Sequence, residues 1–178
     1  MTIEDLSTSH LHAAAKFFGR LPEADITFIK EDVHDPAAIE SWIGQNGARW
    51  VAVDGDTVAG FAALQPLPGL SDHVAELRLV VDPSKRGRGL GRTLTLQAVG
   101  WGLRHGITKV VVEVAAGQEH TIDMFGKLGF TGEALLRDHV RDRKGEVHDL
   151  VLLALFTDVA FGAMDALGLT DALDTEGS

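Results

Sequence analysis

The sequence feature that most constrains this chain lies at residues 74–92, VAELRLVVDPSKRGRGLGR. An apolar run typical of a β-strand ends at Asp82-Pro83. A loop rich in glycine and arginine leads from there into a segment compatible with a helix. A strand followed by a glycine-rich turn at a helix N-terminus directs several backbone N–H groups, and the positive end of the helix dipole, toward one point. The stretch therefore predicts a pyrophosphate site in an otherwise acidic protein.

The side chains of this loop suit the same ligand. Glycines remove the Cβ atoms that would block the close approach of a phosphate, and arginines supply mobile positive charge. The loop residues that we expect to contact the ligand are Arg86, Gly87, Arg88, Gly89, Leu90, Gly91 and Arg92. A flexible surface turn is the alternative explanation of the loop taken alone.

The spacing of these residues differs from two familiar phosphate-binding motifs. A nucleotide P-loop requires Gly-Lys-Ser/Thr after its first glycine and four further residues, and no such Lys-Ser/Thr follows here. A dinucleotide fingerprint requires Gly-x-Gly-x-x-Gly, but a motif that starts at Gly87 meets Arg92 where the third glycine should stand. The pattern that is present is Arg86-x-x-Gly89-x-Gly91.

Length and composition exclude several classes of protein. The 178 residues suffice for one domain with a single core. A net charge of -10 argues against a nucleic-acid or anionic-membrane surface and suits a cationic or amine-bearing partner. The absence of cysteine excludes disulfides, thiolate metal sites and a cysteine nucleophile, and it fits a reducing cytoplasm. We therefore expect a cytoplasmic protein without a nucleic-acid or membrane partner.

Three further signals are absent from the sequence. The N-terminus has neither the basic start nor the apolar core of a signal peptide. No apolar run approaches the roughly 18 residues that a membrane span needs. No His-Glu-x-x-His motif is present, so we expect no metal site.

Hydrophobic periodicity and turn residues predict the order of secondary structure. Helices are expected at residues 8–19, 36–46, from the glycine loop to about 105, 119–128 and 158–168. Strands are expected at residues 2–6, 49–53, 57–65, 74–82, 109–116, 133–141 and 146–156. The continuous apolar run at 109–116 suggests that this strand is buried on both faces.

The order of these elements predicts the fold class. A strand, a helix and a second strand between residues 74 and 116 form a crossover, so the two strands should be parallel, whereas hairpins make their strands antiparallel. The predicted class is α+β, with a mixed, mostly antiparallel central sheet that contains one parallel strand pair and is flanked by helices. One domain should occupy residues 1–156, followed by a C-terminal helix at 157–170 and a disordered tail at 171–178.

Two motifs at a suitable separation resemble the GNAT superfamily of acyl-CoA-dependent N-acyltransferases. The Arg86-x-x-Gly89-x-Gly91 loop after Val80-Val81-Asp82-Pro83 is similar to the acyl-CoA loop of that family, Gln/Arg-x-x-Gly-x-Gly/Ala. Residues 125–130, FGKLGF, stand where the family commonly has Tyr-Glu-Lys-x-Gly-Phe. The ordered elements match the family over roughly residues 1–156, and the resemblance implies that the parallel strands splay apart.

The resemblance implies an N-acetyltransferase that uses acetyl-CoA as cosubstrate, needs no metal, and passes the acetyl group directly to a primary amine in a ternary complex. The acceptor would be a small-molecule or peptide amine, and members of the family often form homodimers. The backbone of Val80 and Val81 would pair with the pantetheine arm, and residues 86–91 would hold the pyrophosphate. Gln118 stands where many relatives have asparagine near the CoA arm, and Phe125 would either belong to the core or pack against pantetheine.

Two carboxylates are candidates for the base that removes the amine proton. Glu113 lies where some relatives that act on protein N-termini have a glutamate, and Glu76 lies where some lysine-acetylating relatives have theirs. Each has a structural alternative. Glu76 could pair with Arg78 on the same strand face, and Glu113 with Lys109.

The chain departs from the family at the tyrosine that often serves as the general acid. That position is Phe125 here, and the chain contains no tyrosine. Departure of the thiolate then needs either no side-chain acid or another donor, such as His120. The departure keeps open a non-catalytic acyl-CoA-binding module, and a nucleotide-binding regulator is a further alternative.

Overall fold

The computed structural model describes residues 1–29 and 33–158, with the backbone alone at residue 28. The strands within these residues are β1 Thr2–Asp5, β2 Ala48–Asp54, β3 Thr57–Pro66, β4 Val74–Val81, β5 Lys109–Ala115, β6 Thr131–Arg141 and β7 Val147–Phe156. The α-helices are α1 Leu11–Arg20, α2 Glu23–Ile26, α3 Pro36–Ser41, α4 Leu90–Arg104 and α5 Glu119–Lys127. The predicted C-terminal helix at 157–170 lies outside the described residues except for its first two positions. The predicted tail at 171–178 lies wholly outside them.

The strands form one sheet in the order β1-β2-β3-β4-β5-β7-β6. Neighbouring strands are antiparallel except β4 and β5, which pair in parallel. Between them in the sequence, α4 returns the chain to the end of the sheet at which β4 began, as a parallel pair requires. The predicted fold class, a mixed and mostly antiparallel sheet with one parallel pair and flanking helices, is confirmed.

Helices pack on both faces of the sheet, and each face has its own hydrophobic core. α4 and α5 lie on one face, where Leu77 and Phe125 belong to the larger core. α1 and α3 lie on the other face, over the β2, β3 and β4 side of the sheet. The aromatic rings of Phe18, Trp42 and Phe61 lie 5.3–5.8 Å apart between their centroids and join these helices to β3. Aromatic pairs at this spacing stabilise a core beyond the area that they bury.

Several local predictions are confirmed. The turn at Asp54-Gly55-Asp56 closes the β2–β3 hairpin, with Gly55 at a φ of 61°. Asp35 caps α3, since its Oδ1 accepts the Ala37 N–H at 2.9 Å. β1 pairs with β2 as an edge strand. Within the described residues, no helix is long and apolar enough to cross a membrane.

The prediction that β5 is buried on both faces is wrong. Val110, Val112 and Val114 are buried in the larger core, whereas Val111 and Glu113 on the opposite face are only partly buried. A strand is buried on both faces only if another part of the protein packs on each of them, and the apolar sequence of the strand does not show whether this is so. On the second face Glu113 borders an open cleft, which leaves this part of the strand accessible to water.

Candidate active site

The parallel strand pair separates part-way along its length. Val74–Leu77 of β4 pair with Lys109–Val112 of β5, and no further pair joins the two strands within the described residues. β4 nevertheless continues to Val81 and β5 to Ala115. A cleft of about 790 Å³ lies where the strands diverge.

The cleft passes through the sheet where the two strands separate. Alternate residues of β4 point to opposite faces of the sheet, and residues from both faces line the cleft. On the side of α4 and α5 it is lined by apolar groups that include Leu79, Val81 and Met124. On the other side it is lined by Glu76, Arg78 and Glu113, together with residues from the α2 region. The cleft therefore joins an apolar channel on one face to a charged pocket on the other.

The glycine and arginine loop closes one end of this cleft. Gly87 and Gly89 adopt φ values of 74° and 82°, a left-handed conformation that favours glycine. The first backbone hydrogen bond of α4 runs from the Thr93 N–H to the Gly89 carbonyl. The N–H groups that begin the helix consequently have no acceptor within it. This is the arrangement that binds anions at helix N-termini.

Gly91 permits close packing behind the loop. A Cβ atom there would lie 3.2 Å from Met124 Sδ on α5, closer than an ordinary van der Waals contact. Thr95, one turn further along α4, is fully buried and donates its hydroxyl to the Gly91 carbonyl at 2.8 Å. The start of α4 is thereby fixed against α5 on the apolar side of the cleft.

Asp82 anchors the start of the loop. Its Oδ1 accepts both the N–H and the hydroxyl of Ser84, at 2.9 and 2.6 Å, and its Oδ2 accepts Arg20 Nε at 2.9 Å. The Arg20 guanidinium also donates to the Val58 carbonyl, which ties α1 and β3 to the same carboxylate. The Ser84 hydroxyl, followed by the Ser84 N–H and Arg20, lowers the pKa of Asp82 against the opposing effect of burial.

Asp82→Asn should destabilise the protein by about 1–3 kcal/mol at pH 7, because hydrogen bonds to a buried charge are lost. The pKa of Asp82 is lowered by folding. Its contribution is therefore present above the unfolded pKa of about 3.9, and it is lost as the pH falls through the folded value. Urea unfolding should show the difference between wild type and variant at pH 7 and a smaller difference below about pH 4.

Asp54→Asn is the matched control for this prediction. Folding also lowers the pKa of Asp54, chiefly through a hydrogen bond from Lys85 at 2.7 Å, but this pair is more accessible to water than the Asp82 carboxylate. Exposed ion pairs contribute little because water screens them. An equal loss of stability in both variants would contradict the anchoring role of Asp82.

The three loop arginines have different surroundings. Arg86 lies against the cleft, where its Nε donates to the Val81 carbonyl at 3.1 Å and its Nη2 lies 2.7 Å from Asp25 Oδ2. Arg92 also lines the cleft, from the first turn of α4, whereas Arg88 does not. The loop thus keeps two of its arginines at the cleft, one of them held by an acidic residue of α2.

The backbone of β4 faces two directions at the divergence. The Asp82 N–H donates to the Ala59 carbonyl of β3, and residues two apart on a strand direct their backbone groups to the same side. The backbone groups of Val80 therefore face β3, with which Val80 is paired through Phe61. Those of Val81 face the gap, where its carbonyl accepts Arg86.

The two predicted bases lie on the charged side of the cleft, and each has a close neighbour. Glu76 Oε1 is 3.4 Å from Arg78 Nε, so the alternative of a pair along the strand is present. Glu113 Oε1 is 3.9 Å from His139 Nε2 of β6. Lys109, the expected partner of Glu113, instead donates to Glu133 at 2.6 Å.

Three predicted residues come from α5 and its N-terminus. Gln118 precedes the helix and lines the cleft, and His120 lines it from the first turn. Phe125 also lines the cleft but is only 1% exposed, with its ring 5.0 Å from that of Phe130. Of the predicted site residues, all except Arg88 line the same cleft.

Sequence reasoning missed several lining residues. They are Asp25, Ile29, Leu79, Thr121 and Met124. Asp25 belongs to the four-residue α2, whose sequence has no periodicity long enough to mark a helix. Alternation along β4 could have identified Leu79, since it lies two residues before Val81.

A cluster of potential metal ligands lies away from the cleft, in the β6–β7 turn. Asp142, Glu146 and His148 bring their ligand atoms within 4.8 Å of one another. Asp142 also accepts the N–H groups of Lys144 and Glu146, both at 2.9 Å. These hydrogen bonds stabilise the turn and explain why the three side chains lie close together. The expectation that the protein binds no metal stays a prediction.

Comparison with known proteins identifies the family. The Acetyltransferase (GNAT) family matches residues 11–130. Mycothiol acetyltransferase from Rhodococcus jostii is 43% identical over 63 residues, which are 35% of this chain and 20% of that protein. The (ribosomal protein bS18)-alanine N-acetyltransferase from Salmonella typhimurium is 27% identical over 158 residues, which are 86% of this chain and 96% of that protein.

A solved structure with the same fold is spermidine N-acetyltransferase from Vibrio cholerae in complex with CoA and spermine. Its TM-score is 0.76 at 17% identity, over 90% of this chain and 97% of that one. The likeness at this identity shows the fold, and the present chain spans only a fifth of the mycothiol acetyltransferase. The family match, which includes β4, the glycine loop and α5, shows that this chain belongs to the GNAT family of acetyltransferases.

Proposed function

We propose that this chain is an N-acetyltransferase that passes the acetyl group of acetyl-CoA directly to a primary amine in a ternary complex. The observation that carries the proposal is one cleft that joins the glycine and arginine loop to the carboxylates of Glu76 and Glu113. The cleft lies where β4 and β5 separate, so a donor and an acceptor from opposite faces of the sheet can meet there.

On the donor side, the pyrophosphate of CoA would lie at the N-terminus of α4. The N–H groups of Leu90 and Gly91 and the side chains of Arg86 and Arg92 are suitable donors to phosphate oxygens. The pantetheine arm would extend along the free side of β4. Val81 and Leu79 would pair with it there, since the backbone groups of Val80 face β3.

In the transfer step, the neutral amine nitrogen attacks the thioester carbonyl carbon. A C–N bond forms as the C–S bond breaks, and CoA leaves as a thiolate that takes up a proton. The amine proton passes to a carboxylate, for which Glu113 and Glu76 are the candidates. The chain contains no cysteine, so it has no thiol that could form an acetyl-enzyme intermediate. This supports direct transfer of the acetyl group from CoA to the amine.

The charged side of the cleft supports an amine acceptor. Asp25, Glu76 and Glu113 line it together with Arg78 and Arg86, and the whole chain has a net charge of -10. The negative charge of the whole chain attracts an alkylammonium ion before the ion loses its proton. The acceptors named for two relatives are an alanine of a ribosomal protein and spermidine. We infer that the acceptor here is a small-molecule or peptide amine.

An acceptor screen tests the proposal. The chain is mixed with acetyl-CoA and a panel of amino acids, polyamines and N-terminal peptides, and both free CoA and acetylated product are measured. We expect acetylation of at least one primary amine. Binding of acetyl-CoA without any product would favour the non-catalytic acyl-CoA-binding module, which the phenylalanine at position 125 makes the second candidate. Greater thermal stabilisation by ATP or NAD than by CoA would favour a nucleotide-binding regulator.

Phe125→Tyr should leave the enzyme active, because the phenylalanine ring has no proton to give and its loss removes no acid. The new hydroxyl would occupy the position of the usual family acid, in a residue that lines the cleft. Steady-state turnover with one acceptor measures the effect. If Phe125→Leu bound CoA normally yet lost more than about a thousandfold in turnover, Phe125 would have a chemical role that we do not expect.

A cytoplasmic location, a homodimer, and the absence of nucleic-acid, membrane and metal partners stay predictions. The charge of the chain and its lack of cysteine support the location and the partner classes. Light scattering would measure the oligomeric state.

A further inference from the structure

β6 departs from regular pairing at one point beside the cleft. Three residues of β6, 137–139, stand opposite one residue of β7, Asp149. Within this bulge Asp138 has a φ of 49°, in the left-handed region that residues other than glycine seldom adopt. Its N–H donates to Asp149 Oδ1 at 2.8 Å, which holds the unusual backbone in place. Bulges redirect side chains, and backbone strain of this kind concentrates at functional sites.

The side chain that follows the strained residue is His139. β7 separates β6 from β5 in the sheet, yet His139 Nε2 lies 3.9 Å from Glu113 Oε1 on β5. This distance is too long for a direct hydrogen bond, but a small rotation or one bridging water would complete the contact. The Glu113 side chain is 14% exposed and that of His139 is 45% exposed. The pair thus extends from the cleft toward solvent.

Other charged and titratable groups lie near this pair. Several form ion pairs of their own, namely Lys109 with Glu133, Glu76 with Arg78, Asp25 with Arg86, and His148 with Asp142. His120 of α5 also lines the cleft, and Asp138 and Asp149 lie beside His139 at the bulge.

We propose that His139 is a positioning residue that acts through Glu113: its Nε2, without a hydrogen at the start of turnover, holds the protonated Glu113 carboxyl group by accepting its hydrogen bond and then accepts the proton that Glu113 removed from the amine. This inference rests on the proposed acetyl transfer and commits the base to Glu113. A neutral imidazole has a ring nitrogen that can accept a proton from a carboxylic acid.

One proton moves along this pair in each turnover. It leaves the attacking nitrogen for a Glu113 oxygen as the C–N bond forms and the C–S bond breaks. It then passes to His139 Nε2 and from there to solvent, so that Glu113 and His139 return to their starting states. Neither side chain forms a covalent bond to the acetyl group.

His139→Gln tests the proposal directly, since glutamine is polar but carries no titratable proton. We expect kcat to fall by about tenfold, less than for loss of the base itself, with little change in the KM of the acceptor. The pH profile of kcat should differ between the wild type and the variant, because the substitution removes a titratable imidazole beside the base. Added imidazole should raise the turnover of His139→Ala but not that of Glu113→Gln.

Asp149 provides a second test through the bulge. Asp149→Ala removes the acceptor of the Asp138 N–H and should reproduce the loss of kcat, whereas Asp149→Asn keeps a carbonyl oxygen and should retain activity. His148→Gln is the control, because His148 lies in the same hairpin but contacts Asp142. We expect His148→Gln to keep the pH profile of the wild type.

Two results would overturn the inference while acetyl transfer stands. One is an unchanged kcat and pH profile in His139→Gln when Glu113→Gln is inactive. The other is a loss in His139→Ala that imidazole does not restore and that His148→Gln shares, which would assign a structural role to the hairpin. A wild-type chain that binds acetyl-CoA but acetylates no amine would overturn both the proposed function and this inference.

Discussion

Glu113→Gln should lower kcat by about 10²–10⁴-fold, the usual loss when a positioned general base is removed. Glutamine has nearly the same shape but cannot accept the amine proton. The affinity for acetyl-CoA should stay the same, because Glu113 lies on the charged side of the cleft, across the sheet from Met124 and Leu79. Turnover across pH with one acceptor, together with calorimetry for acetyl-CoA, measures both quantities.

Glu76→Gln is the matched comparison. Glu76 lines the same cleft but lies 3.4 Å from Arg78, so its loss should act mainly through that arginine. We expect a smaller fall in kcat than for Glu113→Gln. The reverse order would assign the base to Glu76. Near-native pH–rate profiles in both variants would leave proton removal to solvent and contradict our assignment.

Gly89→Glu should raise the dissociation constant of acetyl-CoA by well over tenfold. Gly89 has a φ of 82° and precedes the first N–H groups of α4, so the substitution adds both backbone strain and a negative charge beside the pyrophosphate. Each charge-assisted hydrogen bond that is lost contributes about 1.5–3 kcal/mol, and 1.4 kcal/mol corresponds to tenfold in affinity. Calorimetry with acetyl-CoA measures the change.

Gly69→Glu is the control that separates the effect of backbone strain from the effect of a negative charge at the pyrophosphate site. Gly69 has a similar φ of 67°, and an added Cβ would meet nothing within 4 Å, as at Gly89, but Gly69 does not line the cleft. We expect Gly69→Glu to lower stability without weakening acetyl-CoA binding. A folded Gly89→Glu variant with the dissociation constant of the wild type would exclude the loop as the pyrophosphate site.

The parts of the fold that the sequence predicts are those set by local chemistry. Glycines in the left-handed region mark the loop before α4 and the β2–β3 turn, and Asp35 marks the start of α3. The parallel pair follows from the order of strand, helix and strand alone. α3 ends at Ser41 rather than at residue 46, and Gly44, at a φ of 81°, interrupts the predicted helix.

The parts that the sequence does not predict depend on contacts between distant segments. α2 is four residues long, and the burial of Ile26 and Ile29 against the rest of the molecule holds that region in place. Its Asp25 therefore could not be assigned to the cleft. The approach of His139 to Glu113 depends on a bulge whose left-handed residue is an aspartate, so no glycine marks it.

The separation of β4 from β5 also has a thermodynamic consequence. Beyond Leu77 and Val112 the two strands no longer satisfy each other's backbone groups, so the protein folds with an interruption in the interior of its own sheet. A molecule that pairs with this free edge adds its binding energy to the folded state alone, by RT ln(1 + [L]/Kd), or about 2.7 kcal/mol at a hundredfold excess over Kd. The melting temperature of such a protein follows the supply of its ligand. If the proposed cosubstrate occupies this edge, the chain should be easier to unfold when both acetyl-CoA and free CoA are scarce.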